Sequence, residues 1–268
     1  MLERILNNLK KPHRIPLKII SKVNFYFKKK NYQKNFFEDE QNKILKEINL
    51  DRKIGLSKLL EIHNKYKFIR REMSSEHELL FSSLSLSRQV KVNKILEIGT
   101  HDGINAFLLS LLFQNATIET IDLEEDHPEF INFYGRKDKV EEFVSARNIM
   151  LGKNKKIIFK KMNSITLCNN NQKYDLIWID GAHGYPVVCM DILNSLKLIN
   201  DNGIIMCDDI YINKVASDGM YNSTAAFETL INLKNANLIN FTLAYKRLDA
   251  NSNCVVSTRK YVAFIKKI

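Results

Sequence analysis

Glu97-Ile98-Gly99-Thr100-His101-Asp102-Gly103-Ile104 follows a short apolar run, Lys94-Ile95-Leu96, and leads into Asn105-Ala106-Phe107-Leu108-Leu109-Ser110-Leu111-Leu112. Apolar positions 104, 107, 108, 111 and 112 recur at helical spacing, so the two glycines lie on a strand–turn–helix corner. Twenty-three residues after Gly99, a second strand-like run, Thr117-Ile118-Glu119-Thr120-Ile121, ends on Asp122. This is a nucleoside-binding layout: a bare backbone turn for close approach, then an acid to hold a ribose diol. The glycine spacing selects among nucleosides. Dinucleotide folds use G-x-G-x-x-G, which sets a pyrophosphate against helix N–H groups. Here the pattern is E-x-G-x-x-x-G. The acid before the first glycine would repel a pyrophosphate but suits an ammonium group. A Rossmann-type turn without a ligand is the alternative reading, and the ordered acid at 122 argues against it.

The stretch resembles motif I of the class I S-adenosylmethionine-dependent methyltransferases, whose cofactor carries an α-amino group and a sulfonium. The resemblance implies that Glu97, Gly99, Thr100 and Gly103 cradle the methionine part and that Asp122 is the ribose-binding acid.

Tyr174-Asp175-Leu176-Ile177-Trp178-Ile179-Asp180-Gly181-Ala182-His183 reads as a buried strand ending in an acid, with a histidine three residues on. Gly203-Ile204-Ile205-Met206-Cys207-Asp208-Asp209 reads as another apolar strand ending in acids. Parallel strands bring their carboxyl ends to one rim, so Asp180, Asp208 and Asp209 can converge. Three carboxylates repel one another unless something positive sits among them. A hard cation is the simplest answer, and all-oxygen ligands favour Mg²⁺, Mn²⁺ or Ca²⁺ over zinc. Such a cation could lower the pKa of a substrate hydroxyl, and His183 could take the proton.

The D-x-x-H and D-D pair resembles the metal-dependent O-methyltransferases, in particular the macrolide-sugar and related bacterial branches with histidine at the position of His183. The resemblance covers about residues 74–268. It implies Asp180, Asp208 and Asp209 as metal ligands, His183 as base, and a lid from residues 211–224 and helix 75–84. One departure concerns adenine. The acid expected after strand 156–160 is replaced by Asn163, which can still hydrogen-bond a base.

Strand and helix patterns alternate from 94 to about 233: 94–98, 104–113, 117–122, 137–151, 156–160, 175–180, 186–198, 203–207 and 222–233. This predicts an α/β, Rossmann-like, mainly parallel sheet covered on both faces. Leu238–Tyr245 and Lys260–Ile265 read as a C-terminal hairpin with an antiparallel strand, and the resemblance implies seven strands in all. Residues 36–90 read as helices, with Gly55 breaking the pattern and Ser75-Glu76-His77-Glu78 as a capping box. The expected division is a helical extension, 1–73, and a methyltransferase domain, 74–268.

The net charge of +11 is uneven: residues 1–34 hold ten Lys/Arg against one acid, Glu3, and leave only +2 for the rest. Apolar residues interrupted by Lys18 and Lys22 make this arm a candidate for peripheral contact with an anionic membrane face. A solvated arm or a homo-oligomer contact is the alternative. The four cysteines, Cys168, Cys189, Cys207 and Cys254, show no C-x-x-C or zinc-like spacing, and buried thiols fit a cytoplasmic protein. The expected acceptor is a small-molecule or sugar hydroxyl, with no specific nucleic acid. Rival readings are a metal-independent methyltransferase, a non-catalytic cofactor-binding scaffold and, disfavoured by the glycine spacing, a nicotinamide dehydrogenase.

Overall fold

The computed structural model describes residues 14–67, 75–87, 91–133, 136, 138–213 and 223–268. The first thirteen residues of the basic arm and most of the expected lid loop, 214–222, lie outside the described residues.

Seven strands form one sheet. They are β1 (Lys94–Ile98), β2 (Thr117–Asp122), β3 (Ile157–Lys161), β4 (Tyr174–Ile179), β5 (Ile199–Ile210), β6 (Ile239–Tyr245) and β7 (Tyr261–Lys267). Their order is β3-β2-β1-β4-β5-β7-β6. Strands β1 to β5 pair in parallel, and β7 is antiparallel to both β5 and β6. The strand order switches direction between β1 and β4, which opens a crevice at their carboxyl ends.

Alternate residues of each strand feed two cores. Ile95, Ile118, Leu176, Trp178, Met206 and Phe264 face one. Leu96, Ile98, Ile177, Ile179, Ile205 and Cys207 face the other. With both faces covered, the central strands read as continuous apolar runs.

The helices are α1 (Arg14–Lys30), α2 (Lys34–Glu47), α3 (Arg52–Tyr66), α4 (His77–Ser85), α5 (Ile104–Leu112), α6 (Pro128–Ile131), α7 (Val140–Leu151), α8 (Val187–Leu198), α9 (Ala225–Asn235) and α10 (Ala250–Asn253). Leu45, Leu50, Leu59 and Ile62 of the helical extension lie in the same core cluster as Ile95 and Trp178. Val188 and Ile192 of α8 and Leu230 of α9 cover the opposite face. Among the described residues, no helix is long and apolar enough to cross a membrane.

The extension also fastens the end of β6. Gln41 Nε2 donates to Tyr245 O at 3.1 Å, and Tyr245 N donates to Gln41 Oε1 at 2.9 Å. The side-chain amide thus takes the part of a neighbouring strand.

Three local expectations give way to tertiary contacts. Helix α3 runs through Gly55, because a Cβ there would lie 2.0 Å from Ser83 Oγ; the glycine lets α4 pack close, with Ser82 Oγ donating to Gly55 O at 2.8 Å. The capping box does not form. Among the described residues Ser75 Oγ accepts from His77 N, at 3.4 Å, while Glu76 is drawn into a two-pronged pair with Arg52 at 2.8 and 3.0 Å. Helix α4, expected as part of a lid, is a core helix: Leu79, Leu80, Phe81 and Leu84 are buried.

Candidate active site

The turn after β1 needs its glycines. Gly99 has φ 101° and Gly103 φ 74°, both in the left-handed region that L side chains avoid. A Cβ on Gly99 would lie 2.3 Å from Asp180 O, so the β1 turn and the β4 turn can meet only over a bare backbone. Asp180 N donates to Ile98 O at 2.9 Å and locks the two turns together.

A cavity of about 580 Å³ opens beside this junction. Gly99, Asp122, Asn163, Asp180 and His183 all line it, so one space holds both ends of the expected site. Apolar walls come from Ile98, Ile121, Leu123, Phe130 and Met162. Its size and mixed lining are those of a small-molecule or cofactor site. Asp122 is held by backbone amides: Oδ2 accepts from His101 N and Oδ1 from Leu123 N, both at 2.9 Å. Asn163 Oδ1 accepts from Ile165 N at 3.1 Å and caps a 3-10 helix, Ser164–Asn169. The part of Asn163 that a base could use is therefore the donor half of its amide, where a carboxylate would offer an acceptor.

Glu97, Thr100 and Gly103 are not in the cavity wall. Glu97 shares a face of β1 with Ile95 and points toward α5. There its carboxyl accepts from Asn105 Nδ2 at 2.7 Å and from Thr120 Oγ1 at 2.5 Å. Burial pushes that carboxyl up to about 7, against the two hydrogen bonds that favour its charged form. Thr100 Oγ1 extends the chain to Thr120 Oγ1 at 2.7 Å.

Arg136 was not expected. Its guanidinium lies 4.1, 4.8 and 4.4 Å from the ring centres of Phe130, Phe133 and Phe143, with Nη2 3.8 Å from Asp122 Oδ2. A cation stacked among aromatic faces thus stands in the cavity wall beside Asp122, the carboxylate expected to hold a ribose. The only sequence signal is the spacing of the three phenylalanines around it.

At the other end, Asp180, His183, Asp208 and Asp209 do converge. His183 Nε2 lies 3.7 Å from Asp180 Oδ1 and 3.6 Å from Asp209 Oδ2. Burial pulls the imidazole below its usual pKa, and the nearby Asp209 and Asp208 charges only partly restore it. Desolvation, then the charge of Asp208, raises Asp180 well above the carboxylate range. Asp209 moves the other way. Burial would raise it, but Lys246, His183 and Lys260 outweigh burial and keep it ionised.

The two lysines were not anticipated as site residues. Lys246 Nζ donates to Asp208 Oδ2 at 2.5 Å and also to Asp209 Oδ1. Lys260 Nζ donates to Asp209 Oδ2 at 2.5 Å. This arrangement does not fit the expected divalent cation, because the Asp pair presents three of its four oxygens to ammonium groups. Among the described residues, no cluster of three or more His, Cys, Asp and Glu is arranged to hold a metal ion.

Residues 96–210 match the family model described as "Methyltransferase domain". None of the curated proteins matches the sequence. Among solved structures, a presumed O-methyltransferase from Klebsiella pneumoniae superposes with a TM-score of 0.51 at 14% identity, over 80% of this chain and 89% of the other. Cofactor-bound Rv0187 from MTB superposes with a TM-score of 0.51 at 16% identity, over 79% and 88%. At these identities the likeness is one of fold. Residues 96–210 thus carry a methyltransferase domain, set in the seven-stranded order with the glycine turn beside Asp122.

Proposed function

We propose that the protein transfers a methyl group from S-adenosylmethionine to a hydroxyl of a small molecule or sugar, with His183 as the general base. The observation that carries this reading is the placement of His183: 14% exposed, in the wall of the cavity that also holds Asp122 and Asn163, and within 4 Å of an ionised acid. Bound S-adenosylmethionine supplies a methyl group on a sulfonium, already an excellent leaving group. The protein's own tasks are then orientation and deprotonation. Asp122, fixed by two backbone amides, suits a ribose diol. Asn163 suits an adenine acceptor nitrogen, and the apolar walls suit the ring itself.

Burial favours the neutral form of His183, whose ring nitrogen can then accept the hydroxyl proton. Asp209 remains ionised beside it and stabilises the imidazolium that forms. No step is assigned to a metal ion, because the carboxylates that would hold one are engaged by lysines.

The test is His183→Ala. The chemical step should slow by about 10²–10⁴-fold with cofactor affinity nearly unchanged. The groups facing His183 are Asp180, Asp208, Asp209, Lys246 and Lys260. With its pKa below the ordinary 6.5, the wild-type rate should hold to lower pH than for an exposed histidine, then fall as the base protonates. That acid limb should vanish in the variant. Near-normal turnover of His183→Ala would refute the assignment.

We further propose peripheral attachment to an anionic membrane face through the N-terminal arm. Val23, Tyr26 and Phe27 of α1 are 47, 65 and 57% exposed at i, i+3 and i+4 spacing, beside exposed Lys22, Lys28 and Lys29. Apolar and basic residues together on an exposed helix suit an anionic interface.

A further inference from the structure

Asp208 and Asp209 are consecutive on β5, and consecutive strand residues point to opposite faces. The pairing of β5 with β7 is irregular between Cys207 and Ile210, and Asp209 sits at φ 55°. This local irregularity turns the second carboxylate to the side of the first. They meet at one atom, Lys246 Nζ.

That ammonium is not a mobile surface group. Lys246 is 6% exposed and directly follows Tyr245, whose backbone Gln41 clamps. Lys246 N donates to Lys260 O at 2.9 Å, so the two lysines face each other at the mouth of the β6–β7 hairpin. Two lysine side chains therefore meet the two carboxylates of the pair. A divalent cation entering here would meet ammonium groups about 2.5 Å from its own ligands. Like charges that close repel strongly in a site shielded from water. The fourth oxygen of the pair, Asp208 Oδ1, is buried without a hydrogen-bond partner, which leaves the pair one oxygen for a cation.

We propose that Lys246 is the resident cation of this acid cluster, standing where a divalent metal was expected. As a positioning residue it holds Asp208 and Asp209 in register and sets Asp209 against His183, so that methyl transfer proceeds without added metal. Only that last clause rests on the methyl-transfer reading.

The test uses the full chain, stripped with chelator and titrated with Mn²⁺ alone, followed by calorimetry and electron paramagnetic resonance. Wild type should show no saturable Mn²⁺ binding tighter than about 1 mM, the weak end of oxygen-ligand sites. Lys246→Met keeps the stem and removes the charge. It leaves Asp180, Asp208 and Asp209 short of a cation and should bind Mn²⁺ roughly tenfold tighter or more, since affinity follows ligand charge. Lys246→Arg should remain Mn²⁺-blind. Wild-type turnover should be indifferent to chelator, whereas the residual turnover of Lys246→Met should rise with Mn²⁺.

Micromolar Mn²⁺ binding by wild type, or turnover abolished by chelator, overturns the proposal. So does a folded Lys246→Met that gains no Mn²⁺ affinity. If that variant does not fold, the wild-type titration decides alone. Titrating S-adenosylmethionine into the same sample separates the two readings: absent cofactor binding sinks methyl transfer, while the Mn²⁺ result still judges the lysine.

Discussion

Replacing Gly99 with alanine probes the junction that builds the site. The new Cβ would lie 2.3 Å from Asp180 O, 2.7 Å from Asp180 C and 2.9 Å from Gly181 N, all backbone atoms that cannot rotate away. The residue would also be held at φ 101°. Backbone strain of this kind costs about 1–3 kcal/mol, and forcing an extra carbon into a packed region costs about 1–3 kcal/mol more. The sum is roughly 2–6 kcal/mol. For a chain of this size each kcal/mol moves Tm by about 2–4 °C, so a loss of roughly 4–24 °C is expected in a thermal melt. Gly103→Ala is the control. Its Cβ would meet Leu151 Cδ2 at 2.8 Å, the end of a flexible side chain, so only the φ cost remains in full. If Gly99→Ala melts within about 2 °C of wild type, or loses less than Gly103→Ala, the argument from the two abutting turns is wrong.

Asp122→Ala should weaken S-adenosylmethionine binding by about 1.5–3 kcal/mol, the worth of a hydrogen bond to a charged group; unchanged affinity by calorimetry would remove the ribose from this position. Glu97→Gln tests the buried carboxyl. Its pKa rises from 4.5 to about 7 on folding, so over that interval the native state keeps a proton that the unfolded chain has released. Stability should therefore fall as pH rises between those values, and Glu97→Gln should flatten that part of the curve in denaturant titrations; an unaltered slope would contradict the assignment. Full-length protein should co-sediment with anionic but not zwitterionic vesicles at low ionic strength and be released as salt screens the arm. Deleting residues 1–30 should abolish this while sparing Tyr32, whose hydroxyl donates to Leu248 O at 2.9 Å; conversion of a dimer to a monomer by the same deletion would instead mark an oligomer contact.

The strand–turn–helix corner at 97–104 was legible because its signals are local: glycines at fixed offsets, an apolar run before and a helical period after. The parallel core followed from the same alternation, and the antiparallel hairpin from the change of pattern near residue 238. What could not be read was set by residues far apart in the chain. Lys246 lies 38 residues from Asp208, and Lys260 lies 51 from Asp209. In the sequence Tyr245-Lys246-Arg247 such a lysine looks solvated, and only the insertion of β7 between β5 and β6 brings it to the acids. Gly55 misled for the same reason, since its partner Ser83 belongs to another helix. The acids at 180, 208 and 209 lie around His183 and Lys246 in the structure, but sequence carries no sign of which positive charge lies among them.

The position of β7 inside the sheet has a consequence for how the chain assembles during synthesis. Strand β6 emerges first, yet among the described residues its partner in the sheet is β7, which is made later. Until Tyr261–Lys267 arrives, β5 keeps a bare edge of unpaired amides and carbonyls, and β6 has no strand to join. Lys260 stands immediately before that strand, and Lys246 is fixed by pairing with it. The closing of the sheet and the neutralising of the acid pair are thus one late event, and a nascent chain stalled before it would present both an open strand edge and uncompensated charge.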